Sequence, residues 1–509
     1  MKKFARKEVY VVLALLFVAV IPLMLQRGEP VSAGDADTRL IIMTPHNETI
    51  RREFGEAFSE YWKKKTGKIV YIDWRTPGGT SELRMVLDGD FNRADERGEE
   101  GIGVDVVFGG GDYLFKVMGA KGRLKKLDVF DTHKEWFGGK NGIRQKFTGE
   151  DCYDVDHQWV GVCLSRFGIC YNLDGLKRLG LPVPESWDDL GDPKYYGHVA
   201  LADPTKSGSV AKAFEMLIQQ KIHTELKTAV RQPGENRVRM EDRAKSQGWR
   251  KGLQLIQRIA ANARYFTDSA SKIPHDVAQG DAVAGMCVDF YGRTYNEKLK
   301  KADGSSRLNW VTPIGGTSTS VDPVGVLRGA ENEKLGQAFV AFLLSEKGQL
   351  IWNNKPGTPN GPKHHALRRL PVRPDLYTAD RLKYFTDAEI MPYEGKPDFV
   401  YDPTITGDLF NAMRQAIKVM CIDTHDELTD AWERLIEHTD KDGKMPPLAL
   451  ANFNEVRSFS YKKTYELKKL INKKGKRSDG LRVLDKLNRL AGTFRRSYAD
   501  SQKLATQNK

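Results

Sequence analysis

Between residues 39 and 112 short apolar runs alternate with helical patterns, and this alternation restricts the fold more than any other feature of the chain. Residues 39–43, 68–74 and 104–108 read as strands, residues 48–65 read as a helix, and the turn at residues 76–81 opens a second helix through Val86. Ile50, Phe54, Phe58 and Trp62 recur four residues apart, which gives the first helix a single apolar face. Asn47 stands where an N-cap is needed and Gly67 where a helix stops. Strand, helix, strand, helix, strand is the order of a doubly wound α/β unit, with a parallel sheet covered on both faces.

A second α/β region follows. Residues 158–164, 168–171 and 197–202 read as strands, and helical patterns start at Val210 and Trp249. Residues 219–248 are polar and charged and read as a surface excursion. Residues 274–279 form a short helical pattern, Gly280 and Asp281 a turn, and residues 282–288 an apolar run of strand length. Asp289, Phe290, Tyr291, Gly292 and Arg293 come next, so polar groups are expected at a sheet edge, where open α/β sheets hold ligands. Residues 309–313 read as an extended crossing segment. Beyond Pro403 the pattern is almost wholly helical.

With 509 residues the chain can build two or more packed domains. Its net charge of +13 is uneven: residues 455–509 hold 16 Lys plus Arg against 5 Asp plus Glu. Such a tail can touch anionic lipid or nucleic acid, or present a solvated helical face. Phe453, Phe459, Tyr465, Leu467, Leu470, Leu481, Leu484, Leu487 and Leu490 give it an apolar stripe, which predicts helices packed on the body or on each other. Lys2, Lys3, Arg6 and Lys7 precede an apolar run at residues 9–25, and Val31-Ser32-Ala33 supplies a cleavage pattern. Residues 1–33 are thus read as a signal peptide or, if uncleaved, a membrane anchor, and the body as exported. Export permits disulfides, and Cys152 with Cys163 or Cys170 is the expected pair among five cysteines. No zinc spacing, nucleophile elbow, zinc-protease helix or phosphate-binding P-loop is present in the sequence.

Three small-residue turns lie where a strand yields to a helix: Thr80 and Ser81 in the first, Gly110 and Gly111 in the second, and Ser207, Gly208 and Ser209 in the third. Free backbone N–H groups at helix starts hold anions or polar ligand groups.

Several blocks, in order, resemble the periplasmic solute-binding proteins of ABC importers, in the branch that includes ferric-iron, sugar-phosphate and thiamine binders. The blocks are residues 41–48 with His46, residues 105–111, Ser186-Trp187-Asp188-Asp189-Leu190 with the Asp192–Gly197 segment, residues 203–209, residues 280–293, residues 322–349 and residues 367–377. The resemblance implies a two-lobed, type II-like periplasmic binding protein fold, two doubly wound α/β lobes joined by a hinge, plus a helical C-terminal extension. It places lobe one at residues 39–149 with 309–361, lobe two at 150–308 with 362–445, and the basic extension at 446–509. It implies a small-molecule solute, an ABC permease in the inner membrane as partner, a monomer, no nucleic acid, no cofactor and no catalysis.

The candidate ligand-binding residues are His46, Thr80, Ser81, Gly110, Gly111, Ser207, Gly208, Ser209, Asp289, Tyr291 and Arg293. Ferric-binding relatives would use a histidine, a glutamate and two adjacent tyrosines. Here His46 and Tyr291 remain, while glycine and Phe290 stand at the other positions, and phenyl cannot replace phenolate as a donor. The expected ligand is therefore an organic anion such as a sugar phosphate, with ferric iron the alternative. A different class, an exported hydrolase of anionic esters, would use Asp289, Tyr291 and Arg293 as its reactive group.

Overall fold

The computed structural model describes residues 33–472 and 477–507. The signal-peptide or anchor segment, apart from Ala33, lies outside the described residues. The helices at either end of the expected α/β pattern form where the sequence signals them. Helix α1 (Glu48–Thr66) opens on Asn47, whose side chain accepts from Ile50 N, and closes on Gly67 at φ 78°. Helix α2 (Thr80–Arg97) and helix α3 (Asp112–Ala120) follow strands β2 (Val70–Arg75) and β3 (Val106–Phe108), with β1 (Thr38–Met43) between those strands in the sheet. Pairing of β1 with β2 and β3 is parallel, as the alternation requires. Strands β4 (Lys146–Phe147) and β5 (Glu150–Asp151) form a small separate hairpin.

What joins the two halves is β6 (Val160–Asn172), one strand of 13 residues where the sequence pattern suggests two. Its polar interruption at Ser165 and Arg166 marks the passage between cores. Val160, Val162 and Leu164 belong to the first core, and Phe167, Ile169 and Cys170 to the second. Along its first half β6 pairs antiparallel with β11 (Thr319–Val326), which also borders β3. Along its second half it pairs with β9 (Ala284–Val288), and the sheet continues through β7 (Val199–Ala202) to β8 (Ala263–Thr267). Strand β10 (Leu308–Val311) pairs with β6 opposite β9, and β12 (Leu370–Pro371) pairs with it opposite β11. The expected extended crossing at 309–313 is thus a strand of the second half, and β6 and β11 make the connection.

The polar stretch at 219–248 is mostly helical rather than an excursion. Helix α4 (Gly208–Thr228) and helix α5 (Arg237–Ala261) pack as an antiparallel pair, close enough that a Cβ on Gly252 would come within 2.9 Å of Ile218 Cα. Charged residues occupy the outer face of α5, while Trp249, Leu253, Ile256 and Ile259 are buried. Helix α6 (Ile273–Gln279) leads into β9, and helix α7 (Asp289–Lys298) starts directly at its end. Helix α8 (Glu333–Leu344) covers the first core.

The C-terminal region packs on the second core. It comprises α9 (Phe410–Ile417), a single π-helical turn at Lys418–Ile422, α10 (His425–Glu437), α11 (Pro447–Phe453), α12 (Tyr461–Asn472) and α13 (Arg477–Gln507). Phe453, Phe459, Leu467, Phe494 and Tyr498 join the buried cluster. Trp249 Nε1 donates to Phe459 O at 2.8 Å, and Gln257 Nε2 to Phe453 O and Tyr498 Oη. The expected stripe is only partly used, since Leu481 is 61% and Leu484 55% exposed.

All five cysteines are buried free thiols, so the expected disulfide is absent. Neither expected pairing forms: Cys152 and Cys163 are buried in the first core as separate thiols, and Cys170 is buried in the second core.

Candidate ligand-binding site

A cavity of about 490 Å³ opens between the two cores, with walls from both. Every strand-to-helix turn named from the sequence reaches it: Thr80 and Ser81, Gly110 and Gly111, and Ser207, Gly208 and Ser209 all line the wall. The starts of α2 and α4 abut across it, because a Cβ on Gly208 would sit 3.4 Å from Thr80 Cβ, and one on Gly79 3.5 Å from Lys206 O. Gly79 supplies no capping side chain to α2. Two helix starts therefore meet at one small volume; Ser207 caps α4, and Glu82 in the first turn of α2 brings Oε2 within 3.1 Å of where a Cβ on Gly79 would sit, so the chain itself offsets part of their positive ends.

The glycine turn behaves differently. Gly109, Gly110 and Gly111 all take positive φ, at 85°, 110° and 75°, where other residues are strained. Their conformation aims the N–H groups of Gly110 and Gly111 at Asp322 Oδ1, at 2.8 and 3.2 Å. These donors are already satisfied by the protein. A Cβ at Gly109 would come 2.5 Å from the His46 ring, so a glutamate there cannot coexist with the histidine as placed.

His46 lies on the wall, 8% exposed, with both ring nitrogens engaged. Nδ1 is 3.1 Å from Thr44 Oγ1, and Nε2 is 3.0 Å from Asp322 Oδ2 and 3.3 Å from Arg369 Nη1. Burial holds its pKa below the ordinary histidine value despite the Asp322 carboxylate beside it. Asp322 is the hub of this wall. Burial alone would raise its pKa, but the Arg369 guanidinium and His46 outweigh that and hold the carboxyl far below the usual range.

Tyr291 also lines the cleft, its ring 4.0 Å from that of Phe290, over which Arg369 lies at 4.5 Å. Burial pushes its phenol up to about 12, so it is protonated at neutral pH. Asp289 and Arg293 stand outside the cleft. The chain turns straight into α7 after β9, and residues four apart share a helix face while Tyr291, two from each, points the other way. Asp289 is 2% exposed and accepts from Phe290 N at 2.8 Å and Arg293 Nη1 at 3.0 Å. Arg293 donates onward to Arg368 O at 2.8 Å and lies 3.4 Å from Asp387. The two hold the helix start against the 368–387 loop.

Other wall residues carry no local sequence signature. Lys212, buried on α4, lies 3.2 Å from Glu150 and 3.1 Å from Glu215, with its ammonium 3.5 Å over the Tyr401 ring. Burial would discharge it, yet the two carboxylates outweigh that and keep it charged. Burial, together with Asp112 and Glu215 nearby, pushes Glu150 up to about 7 although Lys212 opposes the shift. Arg84, Lys206 and Arg414 are different: each lines the cleft, and none forms an ion pair with a carboxylate among the described residues. Tyr113 and Phe410 back this corner, 4.9 Å apart. Lys206 and Arg84 sit beside the turns read from the sequence and were within its reach. Arg414 lies far along the chain in the helical region and could be found only by folding it. No group of three or more His, Cys, Asp or Glu side chains among the described residues is arranged to hold a metal ion.

The comparisons with known proteins agree with this architecture. Residues 104–373 match the family described as bacterial extracellular solute-binding protein. An uncharacterized protein of Haemophilus influenzae is 27% identical over 332 residues, 65% of this chain and 80% of that one. The phosphoglycerate transport regulatory protein PgtC of Salmonella typhimurium is 25% identical over 225 residues, 43% of this chain and 48% of PgtC, so the match spans about half of that relative. The solved substrate binding protein of an ABC transporter from Agrobacterium tumefaciens has a TM-score of 0.50 and 16% identity, covering 76% of this chain and 96% of that one. Among the described residues no helix is long and apolar enough to cross a membrane. A two-core α/β body, a cleft walled from both cores and a family match over more than half the chain lead to one assignment: the chain belongs to the bacterial extracellular solute-binding proteins, the periplasmic binding components of ABC importers.

Proposed function

We propose that the protein captures a small organic anion bearing a phosphate group in this cleft and delivers it to an ABC permease without chemical change. The observation that supports this reading best is the corner where two helix starts meet Arg84, Lys206 and Arg414, three cations of which none is in ion-pair contact with a carboxylate among the described residues. A dianion there would satisfy the helix ends and the guanidinium forks together. The serines Ser165 and Ser320 from β6 and β11, and Ser269 and Ser271 from the loop after β8, also line the cleft and suit the hydroxyl groups of a sugar or a hydroxy acid. Similarity to a protein named for phosphoglycerate transport points the same way. Bare ferric iron finds less support, because His46 has both nitrogens occupied, glycine replaces the carboxylate, and Tyr291 holds its proton. Turnover finds less support because Asp289 and Arg293 are turned away from Tyr291 and from the cleft.

Thermal shift and calorimetry with 3-phosphoglycerate, hexose phosphates, the matching unphosphorylated compounds and ferric citrate test the reading. A rise in Tm with one phosphate ester, at unchanged ligand composition after incubation, is expected. A rise only with an unphosphorylated compound or with iron, or hydrolysis of the ester, overturns it.

A further inference from the structure

We infer that Arg414, in the helical region outside the family-matched residues 104–373, is the residue that seats the phosphate group, so that ligand class is set from beyond the family segment. The inference rests on the reading of the cleft as a site for a phosphorylated anion and assigns the seat within it.

Arg414 is 3% exposed in the middle of α9, among Phe410, Met413 and Ile417. A charged side chain is placed so deeply only when something compensates it. Its neighbours on the wall are compensated: Arg369 by Asp322 at 2.6 Å and Lys212 by Glu150 and Glu215. Arg414 has only neutral acceptors. Its Nε donates to Pro204 O, and Nη2 to Thr205 O at 2.7 Å and to Ser81 Oγ. Nη1 has no hydrogen-bond partner among the described residues. Burial and the neighbouring Arg84 lower its pKa to about 10 although Asp203 and Glu82 nearby oppose the shift, which leaves it charged at neutral pH with no carboxylate in ion-pair contact among the described residues.

The acceptors also locate it. Pro204 and Thr205 immediately precede the start of α4, and Ser81 lies in the first turn of α2, so the guanidinium sits at the junction of the two helix starts. Arg84 lies over Tyr113 at 5.6 Å and Arg414 beside Phe410 at 5.7 Å, and the contact between those two rings holds both guanidiniums at one corner. Two forks and two helix ends present donors from several directions, which suits a tetrahedral dianion better than a planar carboxylate. Beyond α9 the π-helical turn is clamped by the last helix: Tyr498 Oη donates to Met420 O at 2.9 Å and Arg495 Nη2 to Asp423 O at 2.6 Å. π turns of this kind are frequent at functional sites.

Isothermal calorimetry of the full chain with 3-phosphoglycerate, inorganic phosphate and glycerate, from pH 5 to 8, tests the assignment. The wild-type protein should bind 3-phosphoglycerate more tightly as the phosphate loses its second proton near pH 6. Arg414→Met should weaken that binding on the order of a hundredfold and flatten the pH dependence, while glycerate binding stays as it was. A variant that keeps the wild-type affinity and pH slope, or loses phosphorylated and unphosphorylated probes equally, overturns the assignment. If Arg414→Met does not fold, Arg414→Lys decides: it keeps the charge without the fork, and undiminished 3-phosphoglycerate affinity overturns the assignment. Failure of the wild-type protein to bind any phosphorylated probe would instead overturn the reading on which the assignment rests.

Discussion

Arg369 Nη1 donates to Asp322 Oδ2 at 2.6 Å, and through that bond the segment leading into β12 is tied to β11, a strand of the first core that pairs with β6. The same carboxylate holds the glycine turn and the His46 ring. Asp322→Ala should leave Arg369 buried without its partner and two backbone donors unsatisfied, at a cost of about 3–5 kcal/mol in urea unfolding. Asp322→Asn should cost less, because an amide oxygen still accepts from Gly110. Equal, sub-kilocalorie losses in both variants would show that the hub is not structural.

Glu150 gives stability a pH dependence of defined sign. Its folded pKa of about 7 lies above the reference value of 4.5, so the folded state holds the proton more tightly. The contribution is fully present below about pH 4.5 and is lost as the pH rises through about 7. Comparing urea midpoints of the wild type and Glu150→Gln across this window isolates it. The difference between the two proteins should change with pH in that direction, and a constant difference contradicts it.

The last helix is part of the body. Phe494, 1% exposed, stacks on Phe459 with centroids 5.5 Å apart. Phe494→Ala should destabilise by about 3–5 kcal/mol. Leu484→Ala, at an exposed position of the same helix, should stay within about 0.5 kcal/mol. Melting curves that rank the two in the opposite order would remove the helix from the fold.

The thiols should be silent in the native protein. Burial pushes Cys152 up to about 12 and raises Cys163, Cys287 and Cys421 as well. A thiol reagent should label none of the five at neutral pH and all five in guanidinium, and reductant should leave Tm unchanged. A reductant-sensitive Tm would reveal a disulfide.

Ferric citrate should produce no tyrosinate-to-iron absorption band, since Tyr291 is a protonated phenol beside Phe290 and His46 has no free nitrogen. A strong band abolished by Tyr291→Phe would establish iron binding.

The parallel half of the sheet and the small-residue turns were legible because they are local: a cap, a four-residue apolar repeat and a glycine are read within a few positions. Strand β11 was not. Ser320, Asp322, Pro323 and Gly325 argue against a strand, and only the register shift between Asp322 and Pro323 and the neighbours on either side make one. Helices α4 and α5 were obscured by the charge density of their outer faces. Asp289 and Arg293 were read as cleft residues because an extended edge was expected where α7 begins. Arg414 shows the opposite failure. Nothing near it in sequence marks it, and its partners Ser81 and Thr205 lie 333 and 209 positions away.

Strand β6 has a further consequence. The two cores each count it as their own: Leu164 is packed in one and Phe167, three residues on, in the other. Losing either core removes a hydrogen-bonded neighbour from the sheet of the other, so neither half can melt and leave its companion intact. A protein with two separate interiors should therefore unfold as one cooperative unit, with a single heat-absorption peak and the slowest amide exchange concentrated along this strand.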